Sequence, residues 1–264
     1  MDEFIVSIKK MKFFPIVYSQ LKCDNLRQQI KKIHEQSWVV DQPRKADALL
    51  VIWGDGWMLK TIKNFYQHQK PFFGINCGSL GFLLNNIKSL DILDKLSLEE
   101  LDRVEERFLQ AKITTPKWVF DCDAVNDIIV GGNVFDFGTF FVKGEKEQIS
   151  FDGTWLVIST PIGSTAYWLN LWWPVMPLKA DIQGIAGIAS NPFEFKIIDP
   201  QKLEISWDTK YSFGVGVDWR QCRFEQVQQM EVLPSSQKFS LLFLKSQNFE
   251  VKRLKYASSK ILKC

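Results

Sequence analysis

The sequence predicts an α/β N-terminal domain followed by a mainly β C-terminal domain in a chain of 264 residues. Two observations predict the first domain. The apolar run Ala46–Ile52 is typical of a parallel strand buried on both faces, and two glycine-rich loops each follow a strand of this kind. A third observation predicts the second domain, because the chain then becomes a series of short apolar segments separated by turn residues.

The first elements alternate between strand and helix. Phe4–Ile8 is predicted as a strand and Leu21–Gln36 as an amphipathic helix, followed by the strand Ala46–Ile52. Met58–Gln69 continues as a helix and Pro71–Asn76 as a second buried strand. This strand, helix, strand order is a βαβ unit, whose loops at the carboxyl ends of the strands are where ligands bind.

The pattern changes after a charged segment, Ser89–Phe108, whose leucines suggest a helical connection. We therefore predict two domains, residues 1–95 and 96–264. The second domain contains short segments predicted as strands: residues 108–114, 118–130, 139–142, 148–151, 155–159 and 203–207. The last stretch, Phe249–Cys264, fits either a helix or a tail, and its return to the first domain is left open.

Composition and charge exclude several classes of protein. The net charge is only +3 and the lysines are scattered, which does not indicate nucleic acid or an anionic membrane surface as a partner. No apolar run is long enough for a membrane helix, and no secretory signal is visible. The five cysteines are widely spaced without a CxxC pair, so we expect unpaired thiols in a reducing cytoplasm and no zinc site.

The first motif with chemical potential is Trp53-Gly54-Asp55-Gly56, where a strand ends and a helix begins. Glycine allows close backbone approach, and the free N–H groups of a helix start attract phosphate. Asp55 could orient a hydroxyl or accept its proton, although an isolated motif of this kind would more often be a capped turn. A second loop, Gly74–Leu83, follows the next strand, and two such loops favour a ligand crevice.

Two further motifs lie in the predicted β domain. Asn126 and Asp127 interrupt an apolar segment, where they could bind a ribose diol or form a simple turn. Ser159–Tyr167 concentrates hydroxyl groups, a glycine and an aromatic ring in nine residues. Such a loop could bind a nucleotide. The alternative, a connection between a strand and a helix without a binding role, is less favoured because polar groups are so dense here.

These four motifs resemble those of the NAD kinases, which carry GGDGT, GxNxGxLGFL, ALNE and STPTGSTAY segments in this order. Their counterparts here are residues 53–57, 74–83, 124–127 and 159–167, and the similarity spans roughly residues 46–219. The resemblance implies a Rossmann-like N-terminal domain and a β-rich, β-sandwich-like C-terminal domain. It also implies transfer of the ATP γ-phosphoryl group to the 2′-hydroxyl of the NAD adenosine ribose, which makes NADP.

The resemblance implies roles for individual residues. Asp55 is the catalytic residue, and the substrate NAD is bound by Gly56, Asn126, Asp127, Thr165, Ala166 and Tyr167. The phosphate loops are formed by Gly54, Gly56, Gly78 and Gly81. Mg²⁺ accompanies ATP or polyphosphate without a dedicated protein metal site, Asp218 is structural, and the enzyme is a homodimer or homotetramer. No nucleic acid or membrane is expected as a partner.

The chain departs from the family at five positions where NAD kinases carry glycine: Trp53, Trp155, Trp172, Trp173 and Trp219. Bulk forced into packed space costs about 1–3 kcal/mol per site. Three explanations compete: a catalytically degenerate NAD or NADP-binding homologue with a regulatory role, an active enzyme with a remodelled loop, or UGA codons that specify glycine in the natural protein.

Other functions receive less support. A lipid or sugar kinase would share the Gly-Asp-Gly loop, but the Ser159–Tyr167 segment and Asn126 argue against it. A dehydrogenase is disfavoured because no GxGxxG fingerprint follows a first strand.

Overall fold

The computed structural model describes residues 10–17, 23, 26–132, 136–146, 148–171, 173–190, 195–208, 213–218 and 222–261. The predicted strand Phe4–Ile8 lies outside these residues, as do Trp172 and Trp219. The chain divides into two compact units. The first holds the described residues up to Glu105 and again Phe239–Lys252, whereas the second holds Glu106–Lys238 and the residues from Arg253 onward.

The first unit is built on a parallel sheet. Its early elements are β1 (Phe13–Val17), α1 (Arg27–Lys31), β2 (Ala48–Trp53), α2 (Asp55–Phe65) and β3 (Phe72–Asn76). β2 pairs in parallel with both β1 and β3, and it is buried along all but its last residue, which explains its apolar run. The predicted βαβ unit is confirmed, with α2 beginning at Asp55 instead of Met58.

The predicted helical connection over Ser89–Phe108 is wrong in its second half. Leu90–Asp94 and Leu98–Glu100 form short 3-10 helices, but β4 (Leu101–Thr114) begins directly afterwards. Val104, Glu106 and Phe108 are all buried on one face of this strand. A glutamate at a buried strand position breaks the apolar alternation, and the strand is therefore hard to recognise in the sequence.

The second unit consists mainly of antiparallel strands. After β4 come β5 (Val119–Ala124), β6 (Asp127–Gly131), β7 (Gly138–Lys143), β8 (Gln148–Gly153), β9 (Trp155–Ser159), α3 (Tyr167–Asn170), β10 (Gln183–Ile188), β11 (Phe195–Ile198), β12 (Leu203–Asp208), β13 (Phe213–Val217) and β14 (Cys222–Val227).

These strands form two antiparallel layers around one core. Six of them form a sheet in the order β11-β10-β9-β6-β13-β14, and β12, β7 and β8 form a second antiparallel group. Apolar side chains of both groups, such as Ile158 of β9 and Phe140 of β7, belong to a single buried cluster. The prediction of a β-rich, sandwich-like domain is therefore confirmed.

The last strand and helix, β15 (Gln229–Leu244) and α4 (Phe249–Ile261), each contribute to both units. β15 pairs with β12 near its start and in parallel with β3 through Leu241 and Leu242. The stretch that fitted either a helix or a tail is thus a helix over most of its length. Among the described residues, no helix is both long and apolar enough to cross a membrane.

The expectation of unpaired cysteines is wrong for two of them. Cys23 and Cys77 form a disulfide with Cα atoms 5.2 Å apart, a normal separation. They are separated by 54 positions in the sequence and belong to no recognisable cysteine motif, so cysteine spacing alone could not reveal the pairing. Cys122 is half-buried.

Candidate active site

Asp55 links the two glycine-rich loops of the first unit. It is the first residue of α2, directly after Gly54. The backbone N–H of Phe82 donates to its Oδ2 (2.8 Å) and that of Leu83 to its Oδ1 (2.9 Å). Both carboxylate oxygens are therefore fixed in position, and each retains a lone pair for a further donor.

The surroundings of Asp55 change its acidity. Burial raises the pKa of the Asp55 carboxyl above its usual value, while the N–H groups of Leu83 and Phe82 and the charge of Lys252 lower it. Burial is the largest of these effects, so the net pKa is raised. A carboxylate with a raised pKa is a stronger proton acceptor near neutral pH.

The first glycine-rich loop leaves room beside the start of α2. A Cβ atom added to Gly54 or Gly56 would meet no other atom within 4 Å. The free N–H groups at the start of α2 lie at this position, where an anionic group is favoured. The geometry of this turn is thus compatible with a bound phosphate.

The second loop is organised by Asn76, a residue that the sequence analysis did not single out. Its Oδ1 accepts from the N–H of Gly78 (2.9 Å), and its Nδ2 donates to the carbonyl of Leu80 (3.1 Å). Gly81 has a φ of +63°, and a Cβ there would lie 2.5 Å from the Asn76 side chain. Gly81 is therefore required by the fold of the loop itself.

Asn126 lies in the tight turn between β5 and β6, and Asp127 is the first residue of β6. The turn is braced from two sides. Asp218 accepts from the backbone N–H groups of Asn126 (2.6 Å) and Val125 (3.1 Å). Thr160 donates its hydroxyl to the carbonyl of Val125 (2.7 Å). Asp218 adopts a φ of +48° to make these contacts, which agrees with the structural role expected for it.

The side chain of Asn126 contains an unused hydrogen-bond acceptor. Within the described part of the chain, its Oδ1 is buried and has no hydrogen-bond partner. A buried oxygen of this kind costs roughly 1–3 kcal/mol unless a donor reaches it. A hydroxyl group of a bound ribose would be such a donor.

The Ser159–Tyr167 segment lies beside this turn. Gly163 is so close to Asn126 that a Cβ would overlap the Asn126 carbonyl. Thr165, Ala166 and Tyr167 are half-buried and reach the surface of the unit. Burial and the negative charge of Asp127 together raise the pKa of Tyr167, so the structure brings these two predicted NAD-binding residues together.

The base of this segment is held by Arg253, which the sequence analysis also missed. The Arg253 guanidinium is fully buried and donates to the carbonyls of Pro161 (2.6 Å) and Met176 (3.2 Å) and to the hydroxyl of Ser164 (3.1 Å). The sequence does contain one signal that Arg253 is buried, which is its spacing from apolar residues in α4. Phe249, Arg253 and Ala257 recur every four residues and form one buried stripe.

Three of the tryptophans at expected glycine positions are described. Trp53 is half-buried in the extended backbone at the end of β2, so its φ does not require glycine. Trp173 is buried and its ring lies 4.6 Å from that of Phe195. Trp155 donates its indole N–H to the carbonyl of Gly132 (3.1 Å), and its ring packs over Gly131. The ring centroids of Trp155 and Tyr167 are 6.2 Å apart.

Trp155→Gly tests whether tryptophan is the natural residue at this position. We expect the free energy of unfolding to fall by about 1–3 kcal/mol, because the substitution removes a half-buried ring that packs over Gly131 and its hydrogen bond to Gly132. Urea denaturation measures this change, with Trp155→Phe as an intermediate variant. Unchanged or increased stability would contradict the packing argument and favour glycine as the encoded residue.

Comparisons with known proteins agree with these features. No protein-family model matches the chain. The NAD kinase of Rickettsia canadensis is 26% identical over 237 residues, which cover 86% of this chain and 90% of that protein. The NAD kinase of Rickettsia prowazekii is 24% identical over the same coverage of both proteins.

Solved structures share the fold over nearly the whole chain. An NAD kinase from Archaeoglobus fulgidus in complex with ATP has a TM-score of 0.67 and 19% identity, covering 96% of this chain and 99% of that one. Yeast NADH kinase complexed with NADH has a TM-score of 0.73 and 14% identity, covering 93% of this chain and 86% of that one. In both sequence and fold, the chain is therefore similar to the NAD kinases.

Proposed function

We propose that the chain is an NAD kinase, which transfers the γ-phosphoryl group of ATP to the 2′-hydroxyl of the NAD adenosine ribose to make NADP. One observation carries the proposal most directly. Asp55 retains its carboxylate at the start of α2, held by two backbone N–H groups and with a raised pKa. The similarity to proteins named NAD kinase over 86% of the chain supports the same activity.

In this mechanism Asp55 accepts a hydrogen bond from the 2′-hydroxyl and orients its oxygen for attack on the phosphorus. The bond between that oxygen and phosphorus forms as the bond to the leaving ADP oxygen breaks, and Asp55 takes up the hydroxyl proton. Phosphoryl transfer of this kind depends on positioning and charge neutralisation instead of covalent catalysis. The fixed orientation of the Asp55 oxygens is suited to that task.

Binding of NAD is assigned to Gly56, Asn126, Asp127, Thr165, Ala166 and Tyr167. The buried Oδ1 of Asn126 supports this role, because a ribose hydroxyl would supply its missing donor. The nearby carboxylate of Asp127 is a second acceptor for a ribose hydroxyl. Tyr167 is half-buried, which leaves part of its ring for stacking.

The phosphates are assigned to the loops that contain Gly54, Gly56, Gly78 and Gly81. The open space beside Gly54 and Gly56 supports this assignment most strongly. The described residues contain no group of three or more His, Cys, Asp or Glu side chains that could hold a metal ion. On the family resemblance, Mg²⁺ would accompany the triphosphate of ATP and neutralise developing charge there.

Three further features are proposed on the family resemblance. They are a homodimeric or homotetrameric assembly, a cytoplasmic location close to ATP and NAD, and ATP as donor with polyphosphate as the other option. The catalytically degenerate NAD or NADP-binding homologue remains the alternative function. It is not favoured, because Asp55 is present and fixed in a turn that has room for phosphate.

The test is NADP formation by the purified protein with NAD, ATP and Mg²⁺, measured with an NADP-specific dehydrogenase. We expect steady production of NADP that depends on all three components. Polyphosphate in place of ATP identifies the donor. A folded protein that binds NAD but forms no NADP would overturn the proposal in favour of the binding-only homologue.

A further inference from the structure

Lys252 extends the environment of Asp55 beyond the family motifs. It lies in the first turn of α4, a turn that is fixed within the first unit by the ring of Phe249, stacked 4.2 Å from that of Phe243 in β15. Asn248 strengthens the same turn, because its carbonyl accepts from the N–H of Lys252 (3.2 Å). The Lys252 backbone therefore has a defined position.

Lys252 and Asp55 form hydrogen bonds with consecutive residues of the second glycine-rich loop. The Lys252 ammonium donates to the carbonyl of Gly81 (2.5 Å), and Asp55 accepts from the N–H groups of Phe82 and Leu83. A three-residue segment, Gly81–Leu83, thus makes hydrogen bonds to both a cation and an anion. Because Gly81 has a positive φ and packs on Asn76, its carbonyl is oriented by the loop fold.

Among the described residues, few charged side chains belong to the elements that surround Asp55. Residues 77–84 of the second loop and residues 48–54 contain no charged side chain. Further along α2 the charged side chains are Lys60 and Lys63, and the other charged residue of α4 within the first unit is Glu250. The positive charge of Lys252 lowers the pKa of the Asp55 carboxyl.

We propose that Lys252 is a positioning residue for phosphoryl transfer, which holds the loop that orients the Asp55 carboxylate and places a positive charge near that carboxylate. This inference rests on the proposed NAD kinase function. The attraction is reciprocal: burial raises the pKa of Asp55 and lowers that of Lys252, and the charge of each residue opposes the effect of burial on the other. Removing the cation leaves the effect of burial on Asp55 uncompensated.

The test is the pH dependence of kcat/KM for NAD in Lys252→Met. Without the cation the pKa of Asp55 rises further, so the acidic limb of the profile moves to higher pH. When that limb moves by about one pH unit, the rate measured at a given pH within it falls about tenfold. Lys252→Arg should stay near the wild-type profile, and Lys255→Met, an exposed change of charge on the same helix, is the matched control.

A second readout does not require turnover. Carbon NMR of isotopically labelled aspartate follows the titration of Asp55 in the folded protein, and we expect a higher midpoint in Lys252→Met. If the wild-type protein makes no NADP, the NAD kinase proposal fails while the NMR comparison still tests the role of Lys252. Coinciding Asp55 titrations in the wild type and Lys252→Met would overturn the inference, whether or not the enzyme is active.

Discussion

Asp55→Asn should lower the rate of NADP formation by a factor of about 10²–10⁴, the range typical of a lost general base. An amide cannot take up the proton of the 2′-hydroxyl. It also has a single acceptor oxygen, whereas Asp55 uses one oxygen for Phe82 and the other for Leu83. The substitution therefore removes the base and releases one contact to the second glycine-rich loop.

Initial rates at saturating NAD and ATP measure this effect, and circular dichroism confirms that the variant is folded. Asp41→Asn is a suitable control, because Asp41 is exposed and its ion pair with Lys45 is a surface contact of small energetic value. A rate for Asp55→Asn close to that of the wild type would show that another group, or water, takes the proton.

The sequence predicts the core of the first unit well for a physical reason. Ala48–Trp53 is buried on both faces, so its apolar residues form an unbroken run that periodicity alone can recognise. Gly54 then separates the strand from α2. An isolated carboxylate between two glycines at a strand end is more often a capped turn, so Asp55 becomes a candidate site residue only because a second glycine-rich loop, Gly74–Leu83, follows the next strand.

The partners of the site residues are less predictable, since they come from distant parts of the chain. Asp218 braces Asn126 across 92 positions, and Lys252 reaches the carbonyl of Gly81 across 171. Neither pairing leaves a local pattern. The cysteine pair has the same property, with a separation of 54 residues. Local motifs thus reveal which residues could react, while the residues that hold them emerge only from the tertiary structure.

Arg253 holds the Ser159–Tyr167 segment in place. Of the proposed substitutions, its replacement should lower the free energy of unfolding most. Arg253→Met preserves much of the buried volume but removes the donors to the carbonyls of Pro161 and Met176 and to Ser164. Hydrogen bonds from charged groups are worth roughly 1.5–3 kcal/mol each, and acceptors left without donors remain buried. We expect the free energy of unfolding to fall by about 3–5 kcal/mol.

The same variant should weaken the binding of NAD, because Pro161 and Ser164 form the base of the segment that carries Thr165 and Tyr167. Urea denaturation gives the loss of stability, and the KM for NAD compared with that for ATP gives the effect on the segment. Lys255→Met again serves as the control, with an expected change within about 0.5 kcal/mol for an exposed residue. Arg253→Lys should recover part of the loss, because its ammonium can still reach some of these acceptors. If Arg253→Met unfolds at the same urea concentration as the wild type, the buried guanidinium cannot be what holds the NAD-binding segment in place.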